Sequence, residues 1–354
     1  MARFSPPDRL RLGQTLPGRL DVTFAGAEAN VAVAVAQLGG RASFASALPA
    51  NPLAEACLGA LRAAGVEVAS VVRSAEGRLG LYFVETGANQ RGGLVIYDRD
   101  ASAYALAGAE AYDFPAILAD ADWLHISGIA AGVSRASAEA TLAAVRAAKA
   151  AGLVVSCDLN YRRKLWRWDP TLSAAALARR THDTLLPHID VLIGNPFDLA
   201  DLLDEATPPD RLDPATATSD DFEALARRVA AKWPRLRQVA MTLRRNHSAN
   251  HNGWGALLLD VASDHVEFAP TRPDGAYRSY EIPFIVDRVG TGDAFVGGLL
   301  FALRTAELAA PATALRFAVA ASCLAHSVSG DFLHCTRAEV EALMQGEESG
   351  YVSR

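Results

Sequence analysis

A carboxylate in a glycine-bounded turn is the feature of this sequence best suited to chemistry. Asp293 lies in the stretch from Asp287 to Phe295, between the apolar runs 282–286 and 296–303. A turn of this kind that opens a helix leaves backbone N–H groups free, and the helix adds about half a positive charge there. Asp293 would repel a directly bound phosphate, but it could accept the proton of a hydroxyl lying between the two. The pattern therefore favours phosphoryl transfer to a hydroxyl.

The same turn has a simpler interpretation, in which Asp293 is a helix N-cap and the glycines only shape the turn. Two other phosphate motifs fit less well. A dinucleotide-binding Gly-x-Gly-x-x-Gly counted from Gly290 would need glycine where Phe295 stands, and the chain has no Gly-Lys pair for a P-loop. The base and the cap both stay open at this point.

A second unusual segment runs from Ala25 to Asn30, directly before a Val/Ala run that ends at Gly39-Gly40. Gly26 would allow a ligand to approach the backbone closely. Glu28 and Asn30 place polar groups on the first helical turn beside it. The segment could equally be an ordinary capped core helix.

The elements that would position these residues are predicted by the hydrophobic pattern. Short Val/Ile/Leu-rich runs precede longer stretches with helical periodicity, as in βα units around a mainly parallel sheet. The strands lack polar alternation, so helices should cover both faces of a three-layer αβα sandwich. The clearest examples are strands at Trp123 to Ser127, Leu153 to Asp158 and Val191 to Gly194, and helices at Ser134 to Ala151 and Pro196 to Leu203.

Two stretches break this alternation and predict a separate small β-sheet. The segments Gly80 to Glu85 and Gly92 to Tyr97 are two strands joined by a polar loop, with no room for a helix between them. Together with residues near 10–25 they could cover a cleft as a lid. We therefore assign residues 10–25 and 79–106 to a discontinuous β lid, and residues 1–9, 26–78 and 107–354 to the αβα domain.

Composition excludes several classes of protein. The 354 residues, 51% hydrophobic and 21% charged, predict a folded chain of about two domains, or of one large domain with an elaboration. A net charge of −6 without a Lys/Arg block argues against nucleic acid as a partner. No window has the apolar length of a membrane span. Four cysteines without a Cys-x-x-Cys pair fit a reducing cytoplasm.

The segment 25–30 and the stretch 289–293 together resemble the paired signatures of the ribokinase-like (PfkB) family of sugar kinases, over essentially the whole chain. Stretches 242–244, 246–254, 285–290 and 329–332 resemble the 2-keto-3-deoxygluconate kinases in particular. The resemblance implies a ribokinase-like fold, ATP and Mg²⁺ as cofactors, and transfer of phosphate to the 6-hydroxyl of 2-keto-3-deoxygluconate. It is also compatible with a homo-oligomer that forms through the lid. The alternatives are a kinase of a neutral sugar such as fructose or ribose, and a family member that binds without turnover.

Roles for individual residues follow from the resemblance. It makes Asp293 the base, and the backbone of Gly290, Thr291 and Gly292 the anion hole. The residues implied to contact the sugar are Gly26, Asn30, Tyr82, Tyr97, Arg99 and Arg162. Those implied to contact the nucleotide are Asn195, Thr242, Arg244, Gly290 and Gly292. The metal ligands stay unassigned.

Each of these residues also has a plainer explanation. Arg99 lies between two aspartates and could belong to a solvated turn, and Arg162 begins a basic run that could be a solvated face. Tyr82 and Tyr97 occupy strand positions where aromatic residues are common for packing alone. Asp158 follows a strand, where it could hold phosphate or metal or only shape a turn. An anionic sugar would nevertheless need local cations in a chain of net charge −6.

The sequence departs from the family pattern at three places. Asn195-Pro196-Phe197-Asp198 stands for the usual Asn-x-x-Glu, so the acidic side chain is one methylene shorter. Ala25 stands where glycine is usual. Residues 4–7 (Phe-Ser-Pro-Pro) should lie beyond the core strand with which the family opens, so we expect the sheet to lack that strand.

Overall fold

The computed structural model describes residues 1–203, 212 and 216–346. Its strands are β1 (Ala2–Ser5), β2 (Asp21–Phe24), β3 (Ser46–Pro49), β4 (Val71–Ser74), β5 (Leu81–Glu85), β6 (Leu94–Asp98), β7 (Trp123–Ser127), β8 (Val154–Asp158), β9 (Val191–Gly194), β10 (Gln238–Ser248), β11 (His251–Asp260), β12 (His265–Ala269) and β13 (Tyr280–Ile282). The α-helices are α1 (Leu12–Thr15), α2 (Ala27–Gln37), α3 (Pro52–Ala63), α4 (Ala103–Leu106), α5 (Phe114–Leu118), α6 (Gly128–Gly132), α7 (Arg135–Ala150), α8 (Ala174–Leu185), α9 (Pro196–Leu203), α10 (Ser219–Lys232), α11 (Thr291–Arg304), α12 (Pro311–Ala325) and α13 (Arg337–Met344).

The main sheet has the strand order β12-β11-β10-β9-β8-β7, with β13 paired to β11. Strands β7 to β10 run parallel, as the apolar runs predict, whereas β11 joins β10, β12 and β13 in antiparallel pairs. In the parallel part, Ser127 lies opposite Asp158, and Asp158 opposite Ile193. The carboxyl ends of these strands therefore meet at one edge, where ligands bind in open α/β sheets.

Helices cover both faces of this sheet, which confirms the three-layer αβα sandwich. On one face, α7 to α10 bury an apolar cluster that includes Val155, Leu177 and Val229. On the other face, α2, α11, α12 and α13 bury a second cluster around Phe295 and Phe317. Burial of such side chains contributes roughly 1.5–3 kcal/mol each, so the two clusters fix the sheet between its helical layers.

Helices α2 and α11 pack at very short range. A Cβ placed on Gly297 of α11 would lie only 2.4 Å from the Cβ of Ala34 on α2. No larger residue fits there without separating the helices. This close packing brings the first turn of α2 beside the first turn of α11.

The lid is a four-stranded sheet with the order β2-β1-β5-β6. The predicted hairpin is present as the antiparallel pair β5 and β6. The assignment of residues 1–9 to the αβα domain is wrong for Ala2–Ser5, because β1 lies between β2 and β5 inside the lid sheet. A strand of four residues is too short to show a periodicity that would predict its partner strand. Its placement depends on the buried side chain of Arg3, which bonds to residues far along the chain.

Strands β3 and β4 form a separate two-stranded parallel sheet. Ser46 to Leu48 of β3 and Leu124 to Ile126 of β7 line the same cavity. Among the described residues, no strand lies between β3 and β7, so both strands present a backbone edge to this cavity. In the described part of the chain, the helices are too short or too polar to cross a lipid bilayer.

Candidate active site

One cavity of about 1310 Å³ extends from the gap between β3 and β7 into the cleft between the lid and the carboxyl edge of the main sheet. Its lining contains every residue that the sequence predicts for the site. These residues are Gly26, Asn30, Tyr82, Tyr97, Arg99, Arg162, Asn195, Thr242, Arg244, Gly290, Thr291, Gly292 and Asp293. Residues from distant parts of the chain thus meet in one cleft, as a ligand site requires.

The turn at Gly290 forms the start of α11. Gly290 is the N-cap residue with a φ of 85°, and a Cβ there would lie 2.2 Å from the carbonyl oxygen of Asp331. Glycine is therefore required both by the left-handed backbone and by the contact. The Thr291 hydroxyl donates to the Arg288 carbonyl oxygen at 3.0 Å, so this side chain supports the turn. The first N–H groups of α11 have no acceptor within the helix and are available to an anion.

Asp293 lies in the first turn of α11 but does not cap it. The N-cap is Gly290, and no side chain makes a capping hydrogen bond there. Instead, Asn30 of α2 donates from Nδ2 to Oδ2 of Asp293 at 2.6 Å. The Asn30 amide is itself oriented, because its Oδ1 accepts from the Gly26 N–H at 3.1 Å. The two sequence signatures therefore meet in one hydrogen-bonded unit that aims the carboxylate.

The protonation of Asp293 is shifted by its surroundings. Desolvation by the surrounding protein is the largest influence and raises the pKa of Asp293 well above its ordinary value. The hydrogen bond from Asn30 opposes this shift, and so does the charge of Arg162. A carboxylate with a raised pKa is a stronger proton acceptor, which suits a general base.

A buried ion network holds the turn before α11, and no pattern in the sequence points to its central residue, Arg3. Arg3 of β1 is 3% exposed and donates to Oδ1 of Asp331 at 2.6 Å and to Oδ2 of Asp287 at 2.5 Å. Oδ1 of Asp287 accepts the N–H groups of Arg288 and Val289, at 2.8 and 3.1 Å. The lid strand therefore braces the anion turn directly. Asp287 and Asp331 lie in stretches that the sequence singled out, whereas Arg3 does not.

Arg99 is a buried cation on the cleft wall. It is 8% exposed, and its guanidinium lies 4.0 Å from the centre of the Tyr97 ring. Desolvation is the largest influence and lowers the pKa of Arg99, whereas Tyr97 and the charge of Glu28 act to raise it. No carboxylate of the described chain lies within ion-pair distance of Arg99. The Tyr82 and Tyr97 rings stack with their centres 5.9 Å apart, and the Tyr82 hydroxyl donates to Oδ2 of Asp331 at 2.7 Å. The solvated-turn explanation of Arg99 is therefore wrong.

Arg162 is exposed at the cleft, where its Nη1 donates a hydrogen bond to the neighbouring Tyr161 carbonyl oxygen at 3.3 Å. Its positive charge nevertheless acts on groups on several sides. It lowers the pKa of Asp293, and it disfavours the charged form of Arg99. Arg162 thus lies within electrostatic reach of both the base and the buried cation.

Two carboxyl groups lie at the carboxyl edge of the sheet, Asp158 as the last residue of β8 and Asp198 in the first turn of α9. Burial is the main cause that raises the pKa of Asp158 to about 7 and that of Asp198 to about 6. Asp158 accepts the Asn160 N–H at 3.2 Å, so it also shapes the turn there. Asn195 accepts the N–H groups of Phe197 and Asp198, both at 3.0 Å, and thereby begins α9. The Asp198 carboxyl group itself is held by the Tyr161 N–H, which donates to its Oδ2 at 3.1 Å.

The middle of β10 supplies a further cation, Arg244, to the cleft, and Arg288 lies near it. Thr242 and Arg244 are two residues apart on this strand, so their side chains share a face. Desolvation lowers the pKa of Arg244, and the charges of Arg288 and Arg162 lower it further. Arg288 is held by a hydrogen bond from Nη2 to Oδ1 of Asn252 at 2.8 Å. Mutually repelling arginines beside a helix N-terminus form a site for an anion of several charges.

Comparison with known proteins identifies the type of enzyme. The profile of the pfkB family of carbohydrate kinases matches residues 8–235. The 2-dehydro-3-deoxygalactonokinase of Haloferax volcanii is 32% identical over 99% of this chain and 96% of its own length. The chain belongs to the pfkB family of carbohydrate kinases. This pfkB-family chain is also 28% identical to a fructokinase of Klebsiella pneumoniae, over 88% of this chain and 89% of that one.

Solved structures agree with this membership. The 2-dehydro-3-deoxygluconokinase of Thermotoga maritima superposes with a TM-score of 0.86 at 36% identity, covering 98% of this chain and 97% of that one. The protein is therefore a sugar kinase with the ribokinase-like fold, and pfkB kinases use ATP.

Proposed function

We propose that this kinase transfers the γ-phosphoryl group of ATP to the 6-hydroxyl of 2-keto-3-deoxygluconate, with Asp293 as the base. The observation that carries the proposal is Arg99, a buried guanidinium in the lid wall of the cleft without a carboxylate partner in the described chain. Burying an unpaired cation is costly, and a bound carboxylate offsets that cost with two charge-assisted hydrogen bonds. A sugar acid supplies that carboxylate, whereas a neutral sugar does not.

The two ends of such a substrate would meet different groups. Arg99, with Arg162 nearby, would bind the carboxylate end, and the stacked rings of Tyr82 and Tyr97 would flank the carbon chain. The terminal hydroxyl would lie against Asp293, which Asn30 orients. Removal of the hydroxyl proton by Asp293 would make the hydroxyl oxygen a stronger nucleophile as it attacks the phosphorus.

The nucleotide would occupy the opposite side of the cleft. The N–H groups of Gly290, Thr291 and Gly292 would stabilise charge on the transferring phosphoryl group. Arg244 and Thr242 would contact the nucleotide from β10, and Asn195 would face it from the start of α9. Lid closure over both ligands would exclude water, which could otherwise accept the phosphoryl group.

The cleft also fits Mg²⁺, which binds oxygen ligands and keeps several of its waters. Asp158 and Asp198 offer only oxygen atoms, and the charge of Asp198 helps to raise the pKa of Asp158. These two carboxyl groups would hold the ion, mainly through water. When bound, Mg²⁺ supplies positive charge to the phosphate oxygens of ATP. The shorter side chain of Asp198, compared with glutamate, suits contact through water.

An ATP-consumption assay on a panel of sugars tests this proposal. The panel contains 2-keto-3-deoxygluconate, its epimer 2-keto-3-deoxygalactonate, fructose and ribose, and NMR of the product locates the phosphate. We expect kcat/KM to be largest for the 2-keto-3-deoxy acids, and 2-keto-3-deoxygluconate to give the 6-phosphate. A preference for fructose or ribose would assign the alternative, a neutral-sugar kinase. ATP binding without turnover of any sugar would assign a binding protein.

We also propose that two copies of the chain associate through their lids. One row of apolar side chains crosses the outer face of the lid sheet, since Val22 lies opposite Phe4, Phe4 opposite Phe83, and Phe83 opposite Ile96. Val22 and Ile96 are 48% and 46% exposed. Phe4 and Phe83 between them are half-buried, and an apolar row of this kind with exposed ends favours association.

Light scattering after size exclusion tests this association. Ile96→Lys should give monomers, whereas Leu53→Lys, which charges an equally exposed leucine on α3, should leave the mass unchanged. A wild-type protein that is monomeric at high concentration would contradict the association.

A further inference from the structure

Two histidines and a glutamate converge at the end of the long β10–β11 hairpin, outside the cavity. His247 lies near the end of β10, His251 begins β11, and Glu281 is the central residue of β13. The Nε2 atoms of His247 and His251 lie 3.5 and 3.1 Å from the same oxygen, Oε2 of Glu281. All three ligand atoms lie within 4.8 Å of one another.

These distances match the spacing of ligands around a tetrahedral metal ion. Zinc binds histidine nitrogen and carboxylate oxygen at about 2.0–2.2 Å, which separates tetrahedral ligands by about 3.3–3.6 Å. The two measured nitrogen-to-oxygen distances, 3.1 and 3.5 Å, lie close to that range. Small side-chain rotations would bring the third pair of ligand atoms, the two histidine nitrogens, to the same separation.

The backbone explains why the two rings face each other. Asn246 lies opposite Asn252, but Ser248 lies opposite His251, so His247 is an extra residue in a β-bulge. Bulges often redirect a side chain next to a functional site. The rings of His247 and His251 lie 4.3 Å apart, centre to centre.

The carboxylate of Glu281 is held in place by its neighbours. Ser279 donates from Oγ to Oε1 of Glu281 at 3.1 Å, which leaves Oε2 to the histidines. Gly253 lies opposite Glu281, and a Cβ at Gly253 would come within 3.3 Å of Oε1 and 3.0 Å of the Ser279 hydroxyl. Supporting hydrogen bonds of this kind orient the ligands of metal sites.

We propose that His247, His251 and Glu281 bind one Zn²⁺ ion, with water as the fourth ligand. Imidazole nitrogen selects zinc over magnesium, which prefers oxygen ligands only. The ion would fasten the hairpin end to β13. The same hairpin end supports the lid loop, because Ala249 donates to the Asn89 carbonyl oxygen at 2.7 Å and Asn250 accepts the Asn89 N–H at 2.9 Å. Zinc would therefore stiffen the support of the lid.

Zinc stoichiometry in the full-length chain, freed of metal by a chelator, tests the site. Equilibrium dialysis against ZnCl₂ should give one bound ion fewer for His247→Gln, His251→Gln and Glu281→Gln than for the wild type. His265→Gln is the matched control, because exposed His265 pairs with Glu267 at 3.0 Å on β12, and among the described residues no third ligand joins this pair. Its stoichiometry should equal that of the wild type. Equal stoichiometry in the wild type and the three ligand variants would overturn the proposal.

Two further measurements distinguish a built site from nonspecific histidine binding. Ser279→Ala should weaken zinc binding about tenfold to a hundredfold, the usual cost of losing a supporting hydrogen bond. Co²⁺ in place of Zn²⁺ should give the intense visible absorption of tetrahedral cobalt, and His251→Gln should remove it. Unchanged affinity in Ser279→Ala, together with the pale spectrum of octahedral cobalt, would contradict a tetrahedral site.

Discussion

The two walls of the cleft differ in how their polar groups are satisfied. On the wall formed by α2 and α11, Asn30 orients Asp293, and the network around Arg3 braces the anion turn. On the lid wall, Arg99 is buried without a carboxylate partner in the described chain, and Arg162, which follows β8 of the main sheet, is exposed within electrostatic reach of it. On the first wall, the base and the anion turn are already held in position before a ligand binds, as preorganised catalysis requires. The second wall leaves charge for the substrate to satisfy, so the walls should respond differently to mutation.

Asp293→Asn should have the largest effect. The substitution keeps size and polarity but removes the proton acceptor, a role worth about 10² to 10⁴ in rate. We expect kcat to fall by that factor for every sugar that is turned over, with ATP and sugar affinities within a few-fold of the wild type. Steady-state kinetics and ligand titration measure both. Asp183→Asn, on the exposed surface of α8, is the matched control and should be neutral. More than half of the wild-type kcat in Asp293→Asn would show that Asp293 is no base.

Replacement of Arg99 or Arg162, the two cations assigned to the substrate carboxylate, should have a smaller and more selective effect. Arg99→Ala and Arg162→Ala would each remove a charge-assisted contact worth roughly 1.5–3 kcal/mol. That corresponds to about a tenfold to hundredfold loss of kcat/KM for acidic sugars. Lysine at either position should recover only part, because a point charge lacks the two-pronged geometry. Equal losses for acidic and neutral sugars would mean that the arginines serve the fold or the nucleotide.

Asn30→Ala should move the pH dependence of the reaction. The Asn30 hydrogen bond favours the ionised carboxylate and lowers the pKa of Asp293, against the upward shift caused by desolvation. Without this donor the pKa rises further, and the base is protonated over a wider acidic range. The acid limb of kcat/KM against pH should therefore move to higher pH than in the wild type. An unmoved limb, or one at lower pH, would show that this bond does not control the base.

The smallest expected effect is on stability, and it concerns the unpaired backbone edges of β3 and β7. The Met1 ammonium is buried and donates to the Ala25 carbonyl oxygen at 2.8 Å, and burial lowers its pKa. A short apolar, strand-forming segment added before Met1 would replace this charge by an amide and could pair with both edges. The melting temperature should rise by about 1–2 °C for each kcal/mol gained. A polar segment of equal length is the control, and an equal rise for both would contradict strand pairing.

The sequence predicted those parts of the fold and site that local pattern determines. The strands β7 and β9 are recognisable because apolar runs bounded by turns repeat in βα order, and the α11 turn is recognisable from Gly290. The placement of β1 was missed because it depends on Arg3, whose partners Asp287 and Asp331 are 284 and 328 residues away. The antiparallel edge around β11 depends in the same way on distant pairing. Bonds between residues so far apart produce no periodic pattern in the sequence from which they could be predicted.

The ratio of kcat/KM for 2-keto-3-deoxygluconate to that for fructose tests most directly whether the two walls have separate tasks. The ratio should be measured for the wild type, Asp293→Asn and Arg99→Ala under identical conditions. We expect Asp293→Asn to keep the wild-type ratio while both rates fall, because the base serves every sugar. Arg99→Ala should lower the ratio about tenfold to a hundredfold, because only the acid loses a contact. An unchanged ratio in Arg99→Ala would contradict the assignment of substrate selection to the lid wall.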